Sequence, residues 1–265
     1  MNDDAIIRLK DVHKSFNGEA VLRGVNLAVE PGKTTVIIGP SGCGKSVLLK
    51  HMIGLIRPDR GEVFFRGRAI GPLSERELVG VRRRFGFLFQ GGALFDSMTV
   101  QENIVFPLAE NGVSEPSRQQ ARCKEVLSLV GLDGTQQKFP EELSGGQKKR
   151  VALARAIALG PEVILYDEPT TGLDPIRADL INELIITLQK ALQTTAIVVT
   201  HDMTSACKIA DRIVMLHGGN FIADTTPQAL ATIDNDIVLR FVQGRASVEE
   251  LQQIHTGRLA GQPAA

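Results

Sequence analysis

Three cysteines in 265 residues, Cys43, Cys123 and Cys207, are too few and too scattered for a disulfide framework or a thiolate metal site. That usage fits a reducing compartment. Charge of one sign is missing as well, because 30 Lys and Arg balance 30 Asp and Glu. A net charge of zero argues against the basic footprint of a nucleic-acid binder, so no nucleic-acid partner is expected. No apolar run approaches the ~18 residues needed to span a bilayer. The opening MNDDAIIRLK is acidic and has no apolar core, so no signal peptide is expected. Internal repeats and low-complexity tracts are absent too. What is present, 43% hydrophobic and 23% charged residues, suits a soluble globular protein with a sizeable core. The length allows one large domain, or one domain with an appendage.

Residues 6–30 alternate loosely around Asn17-Gly18, which predicts an antiparallel hairpin. Three runs, TTVIIG (34–39), VILYDE (163–168) and TAIVVTH (195–201), are apolar without alternation and read as buried strands. Strands of that kind, separated by helices, predict a parallel sheet covered on both faces. RRRFGFLFQ (82–90) reads as a strand ending at Gln90, and 61–70 and 212–224 as further hairpins. Residues 97–142 are mostly helical in pattern, and 179–192 is an amphipathic helix. The fold class is therefore α/β: a mixed, mainly parallel sheet with antiparallel elements in front and a helical insertion.

Gly39-Pro40-Ser41-Gly42-Cys43-Gly44-Lys45-Ser46 matches G-x-x-x-x-G-K-[ST], with a strand before it and a helix after it. Backbone N–H groups of such a loop close around phosphate oxygens, helped by the helix N-terminus. Lys45 then reaches the β- and γ-phosphates, and the Ser46 hydroxyl ligates Mg²⁺. Asp167 and Glu168 end a buried strand. Asp167 suits the metal, commonly through water, and Glu168 suits a general base; the alternative is an acidic strand end facing solvent. A lone His at a strand end is more often structural, but ligands of an open parallel sheet bind at that edge. His201 shares the edge with Gly39 and Asp167, which favours a γ-phosphate contact. Gln90, read as another strand end, is suited to Mg²⁺ and water, although in isolation it is equally well structural.

Leu143-Ser144-Gly145-Gly146-Gln147-Lys148-Lys149-Arg150 poses a question of charge. Three cations stand in the first turns of an expected helix, where the macrodipole favours anions. One answer is a second phosphate cradle, with no equivalent of Lys45 and no metal-binding Ser after one, that caps a nucleotide held by another copy. The other is an ordinary N-cap whose Lys148, Lys149 and Arg150 face water.

GPSGCGKS, Gln90, LSGGQ, ILYDE, Gly172-Leu173-Asp174 and His201, in that order, resemble the ABC-type ATPases over roughly residues 5–227. The resemblance implies a P-loop NTPase fold with a RecA-like core, an N-terminal antiparallel β subdomain and an inserted α-helical subdomain at about 91–158. Residues 1–227 would form the ATPase domain and 228–265 a partly helical C-terminal extension. It also implies ATP and Mg²⁺ as cofactors and a head-to-tail dimer sandwiching two ATPs. Ser144, Gly145, Gly146, Gln147 and Asp174 would act in trans, and Phe16 would stack on adenine. Val47 stands where the family often has Thr, so a hydroxyl contact to the α-phosphate is lost while the backbone N–H remains. The stretch 89–108, FQGGALFDSMTVQENIVFPL, is similar to ATPase subunits of Mce-type phospholipid transporters. That implies a membrane permease, an Mce-domain subunit and a small STAS-like protein as partners, at the cytoplasmic face of the inner membrane. Polar-solute importers carry MTVxEN here too. In the tail, Ile237, Val238, Phe241 and Val242 form an apolar stripe, and Ser247 with Glu250 resembles a capping box. Residues 228–256 are expected to pack on the dimer mate or another partner, the alternative being their own domain. Two other classes are weaker. Against a non-transport ABC machine acting on DNA or ribosomes, this sequence has no coiled-coil insertion and no basic excess, and a kinase or GTPase leaves LSGGQ and His201 unexplained.

Overall fold

The computed structural model describes residues 4–246. Strands β1 (Ile7–Phe16) and β2 (Glu19–Val29) pair antiparallel, from Ile7 opposite Val29 to Phe16 opposite Glu19. The wholly buried β3 (Thr34–Ile38) runs through the loop at 39–44 into α1 (Lys45–Met52). Next come β4 (Arg60–Phe65), β5 (Arg68–Ala69), α2 (Glu75–Arg82) and β6 (Phe85–Leu88). Three helices follow: α3 (Val100–Glu110), α4 (Pro116–Leu129) and α5 (Gly145–Ile157). The chain then alternates through β7 (Val163–Asp167), α6 (Pro175–Leu192), β8 (Thr195–Val199) and α7 (Met203–Ile209). It closes with the hairpin β9 (Arg212–His217) and β10 (Asn220–Thr225), then α8 (Asp236–Gln243).

Two sheets result. One is antiparallel, in the order β2-β1-β4-β5; the other has the order β10-β9-β3-β8-β7-β6. In the second, every pairing is parallel except that of β10 with β9. Its strands explain the apolar runs. Ile37, Leu165, Ile197 and Val199 face one core, shared with the antiparallel sheet and α1. Val36, Ile38, Ile164, Tyr166, Ala196 and Val198 face the other, shared with the helices. Neither side of β3, β7 or β8 meets water, so no polar alternation is needed there. Each fully buried Leu, Ile or Val contributes about 1.5–3 kcal/mol.

Several elements differ from the sequence reading. The strand at 82–90 is shorter: Arg82 ends α2, Arg83 caps it, and β6 stops at Leu88. Gln90 is therefore not a strand end but lies in a turn closed by Gly92 N–H donating to Phe89 O at 2.8 Å. The helix expected from 179 begins at Pro175, because Asp174 caps it and proline suits the first position. In the tail, Leu230 and Val238 are buried in the helix-side core, with Phe241 and Val242 packed against it, so residues 230–242 dock on their own domain. The box at Ser247 and Glu250 lies outside the described residues.

Candidate functional site

Strands β3, β8, β7 and β6 are adjacent and parallel, so their C-terminal ends form one edge. Just past those ends come Gly39, His201, Glu168 and Gln90. A cavity of about 380 Å³ opens there, walled by Val21, Ser41, Gly42, Gly44, Lys45, Ser46, Val47, Gln90, Glu168 and His201. The edge thus collects residues that are far apart in sequence.

The loop fits tightly against the sheet. A Cβ at Gly39 would fall 2.2 Å from the Leu216 carbonyl oxygen of β9, and 3.0 Å from Cys43 Sγ. Pro40 and Gly39 offer their carbonyls to Lys45, whose Nζ donates to them at 2.9 and 2.8 Å. The Val47 carbonyl lies 2.8 Å from His51 Nδ1. Burial raises the Cys43 thiol pKa, opposed by the Lys45 charge. Ser46 Oγ donates to Asp167 Oδ1 at 2.8 Å. Burial pushes the Asp167 carboxyl upward; the Ser46 bond opposes this and the Glu168 charge adds to it. A cation beside this hydroxyl and carboxylate would favour the ionised form, so the donor pair fits a hard divalent ion.

Glu168 is held on all sides. Its φ is 50°, a left-handed conformation that is strained for a residue with a side chain. Its N–H donates to Val199 O at 2.9 Å, and its carbonyl accepts from Lys149 Nζ at 3.3 Å. Oε1 lies 2.9 Å from His201 Nδ1, and Oε2 accepts from Thr171 Oγ1 at 3.1 Å. The carboxylate is therefore aimed into the cavity with a histidine beside it. A fixed carboxylate on the wall of such a cavity can take a proton from water.

Ser144, Gly145, Gly146, Gln147 and Asp174 do not line that cavity. Ser144 and Gln147 form a capping box at the start of α5, with Ser144 N–H donating to Gln147 Oε1 at 2.9 Å. Asp174 Oδ1 accepts from Arg177 N–H at 2.9 Å and so caps α6. The two helix starts are neighbours: a Cβ on Gly145 would lie 3.9 Å from Leu173 Cδ2, and one on Gly146 3.8 Å from Arg177 Cδ. The first amides of α5 have no intrahelical acceptor. The three cations follow neither expected pattern in full. Lys149 is buried and donates to the carbonyls of Gln90 and Glu168, and Arg150 Nη1 to those of Val130 and Gly131. Phe16, at the end of β1, is 41% exposed and outside the cavity wall, with Lys14 Nζ 5.4 Å from its ring centroid.

The sequence reading missed Thr171 and the inward-facing Lys149. Lys149 could have been found by period, since it stands one turn before the buried Ala152 and Leu153. Nothing local distinguishes Thr171.

Residues 22–171, more than half of the chain, match the ABC transporter family. The chain belongs to that family. A relative of this ABC transporter chain from Mycobacterium leprae (strain TN) is 41% identical over 90% of the chain and 69% of its own length. It is named "Probable ribonucleotide transport ATP-binding protein mkl". The "Intermembrane phospholipid transport system ATP-binding protein MlaF" of Escherichia coli (strain K12) is 39% identical over 91% of the chain and 90% of its own length. Among solved structures, the ATP-binding cassette MJ0796, a dimer bound to ADP and Pi, is 34% identical with a TM-score of 0.76. That likeness covers 83% of this chain and 98% of that one. The cbiO1 subunit from Clostridium perfringens, part of the ABC transporter complex cbiONQ, is 28% identical with a TM-score of 0.80, over 96% and 99% of the two chains. The two-sheet, helix-covered architecture is the ABC ATPase fold.

Proposed function

We propose that this chain is the ATP-hydrolysing motor subunit of a membrane transporter that moves phospholipid between inner and outer membranes, acting as a head-to-tail pair. One observation carries the reading. The chain holds two sets of groups suited to a triphosphate, the 39–47 loop with its carboxylates and the Ser144–Gln147 helix start beside Asp174, and keeps them apart. A second copy brings the missing half to each.

In this reading Gly39 to Val47 cradle the phosphates with backbone N–H groups and Lys45, and Phe16 stacks on the base. Ser46, Asp167 and Gln90 would hold Mg²⁺, which when bound neutralises charge on the phosphate oxygens. Glu168 takes the proton of the attacking water, and His201 orients that carboxylate and contacts the terminal phosphate. Ser144, Gly145, Gly146, Gln147 and Asp174 cap the partner copy's nucleotide. Residues 1–227 act as the ATPase domain, 91–158 as its helical subdomain, and 228–265 as an extension. Among the described residues no helix is long and apolar enough to cross a membrane; in this reading a membrane permease forms the path. The exposed Phe95 and Phe106, 5.1 Å apart edge to face, support a groove for a short permease helix. An Mce-domain subunit, a STAS-like protein and attachment at the cytoplasmic face of the inner membrane complete the reading. The name of the 39% relative supports phospholipid as cargo, and that of the 41% relative supports ribonucleotide. Transport assays with both cargoes decide between them.

The test is a pair of substitutions. Glu168→Gln is expected to cut steady-state hydrolysis by about 10²–10⁴-fold, the usual share of a general base, while ATP still binds and holds a dimer. Ser144→Arg is expected to leave ATP binding to the single copy intact and to abolish pairing and turnover. Near-normal turnover in the first removes Glu168 from its role. Pairing and turnover in the second end the trans arrangement.

A further inference from the structure

Lys149 is a buried cation that none of these roles uses. It is 7% exposed, in the second turn of α5. Its ammonium donates to two main-chain carbonyls, Gln90 O at 2.5 Å and Glu168 O at 3.3 Å. Burying an ammonium is unfavourable unless its hydrogen bonds are replaced, so a position that needed only bulk would be better served by Met or Leu. Both carbonyls belong to residues of the cavity wall.

The three elements joined here carry different duties. Helix α5 begins with the capping box of Ser144 and Gln147, two residues from Lys149. Gln90 follows β6 in the turn closed at Gly92, and Glu168 follows β7 in the strained left-handed conformation. Further along α5, Arg155 donates to Ala93 O at 2.8 Å and Gly92 O at 2.9 Å, so the helix grips the 90–93 segment at two points. A displacement of α5 must therefore pull on Gln90 and Glu168 or break these bonds. Asp167 and Glu168 also attract the Lys149 charge.

We propose that Lys149 is a positioning residue that links the two nucleotide sites of a pair. Movement of α5, when Ser144 to Gln147 engage the partner copy's ATP, is passed through the ammonium to Gln90 and Glu168 of the same chain's own site. The inference rests on the paired reading above. Lys149 touches no reacting atom; it fixes the main chain of two residues that do.

The experiment uses the full chain and Lys149→Met, which keeps the length of the stem and removes every donor. Lys149→Gln, which keeps a donor, is the rescue variant. Affinity for a fluorescent ATP analogue is expected to change less than about twofold in Lys149→Met, and pairing in a Glu168→Gln background to persist. Turnover at saturating ATP is expected to fall at least about tenfold, and the Hill coefficient to fall towards one, with partial recovery in Lys149→Gln. A purely structural lysine would lower the melting temperature without separating kcat from ATP affinity. Wild-type kcat and Hill coefficient in Lys149→Met overturn the proposal. If that variant does not fold, Lys149→Leu, suited to a buried helical position, carries the same two readouts and the same refuting result. If Ser144→Arg pairs and turns over normally, the paired reading falls and takes this one with it. If Ser144→Arg fails while Lys149→Met behaves as wild type, only the linkage falls.

Discussion

Replacing Gly39 by Ala measures how closely the loop at 39–44 is pressed against the sheet. Gly39 has φ 152° and Gly42 φ 79°, both disfavoured for a side-chain-bearing residue. Such conformations cost about 1–3 kcal/mol each. At Gly42 an added Cβ meets nothing within 4 Å, so backbone strain is the whole effect. At Gly39 it falls 2.2 Å from the Leu216 carbonyl oxygen, a main-chain atom of β9, which is paired on both sides and cannot step aside. Overpacking of that kind adds about 1–3 kcal/mol. Gly39→Ala is therefore expected to lose about 2–6 kcal/mol and Gly42→Ala about 1–3, the sums of these terms. Urea titration of each full-length variant reads the difference directly. Thermal melts follow it at roughly 2–4 °C per kcal/mol for a chain of this size. Gly39→Ala should also lose ATP binding, because relieving the overlap moves the loop that Lys45 closes. Equal stabilities for the two variants, or a Gly39→Ala protein with normal ATP affinity, would refute the contact.

Two further expectations concern groups behind the site. His51 is buried, with burial as the main cause holding its pKa below the ordinary 6.5. The unfolded chain then binds the proton first, so stability is full above about pH 6.5 and is lost as pH falls from there towards the lower folded value. Urea midpoints above and below that pH should fall further in wild type than in His51→Asn; identical losses would refute this. Asn182 Nδ2 donates to Ser205 Oγ at 2.8 Å, and Ser205 Oγ to Asp202 Oδ2 at 2.6 Å, beside His201. Asn182→Ala should cost about 1–3 kcal/mol by leaving the chain of donors incomplete. It should also lower kcat more than it raises KM; an effect on stability alone would detach this network from His201.

The sequence was legible where one local rule decides the structure. The strands β3, β7 and β8 were found because burial on both faces demands apolar residues throughout. The loop at 39–46 was found because spacing, strand and helix coincide. The helix α2 was overlooked although Ser74 and Glu77 form a capping box that could have announced it, and α7 was overlooked despite Asp202 at its N-cap. Gln90 was read as the end of a strand over 82–90, whereas β6 stops at Leu88 and the turn closed at Gly92 follows. The buried Lys149 was out of reach of a charge argument, since its acceptors are carbonyls, which no sequence pattern marks. The adjacency of Ser144 and Asp174 depends on how two helices pack, and it became visible only in three dimensions.

Tyr166 occupies the helix-side core, one residue before Asp167, and it is the sole tyrosine of a chain with no tryptophan. Burial raises the pKa of its phenol, whose oxygen has no hydrogen-bond partner among the described residues. Beyond the weak bands of the eleven phenylalanines, near-ultraviolet absorption thus reports a single address, next to the candidate site. In alkali above about pH 10, where an exposed tyrosine ionises, the phenolate band should stay silent in the native molecule and emerge only on unfolding, a spectroscopic signal that needs no label.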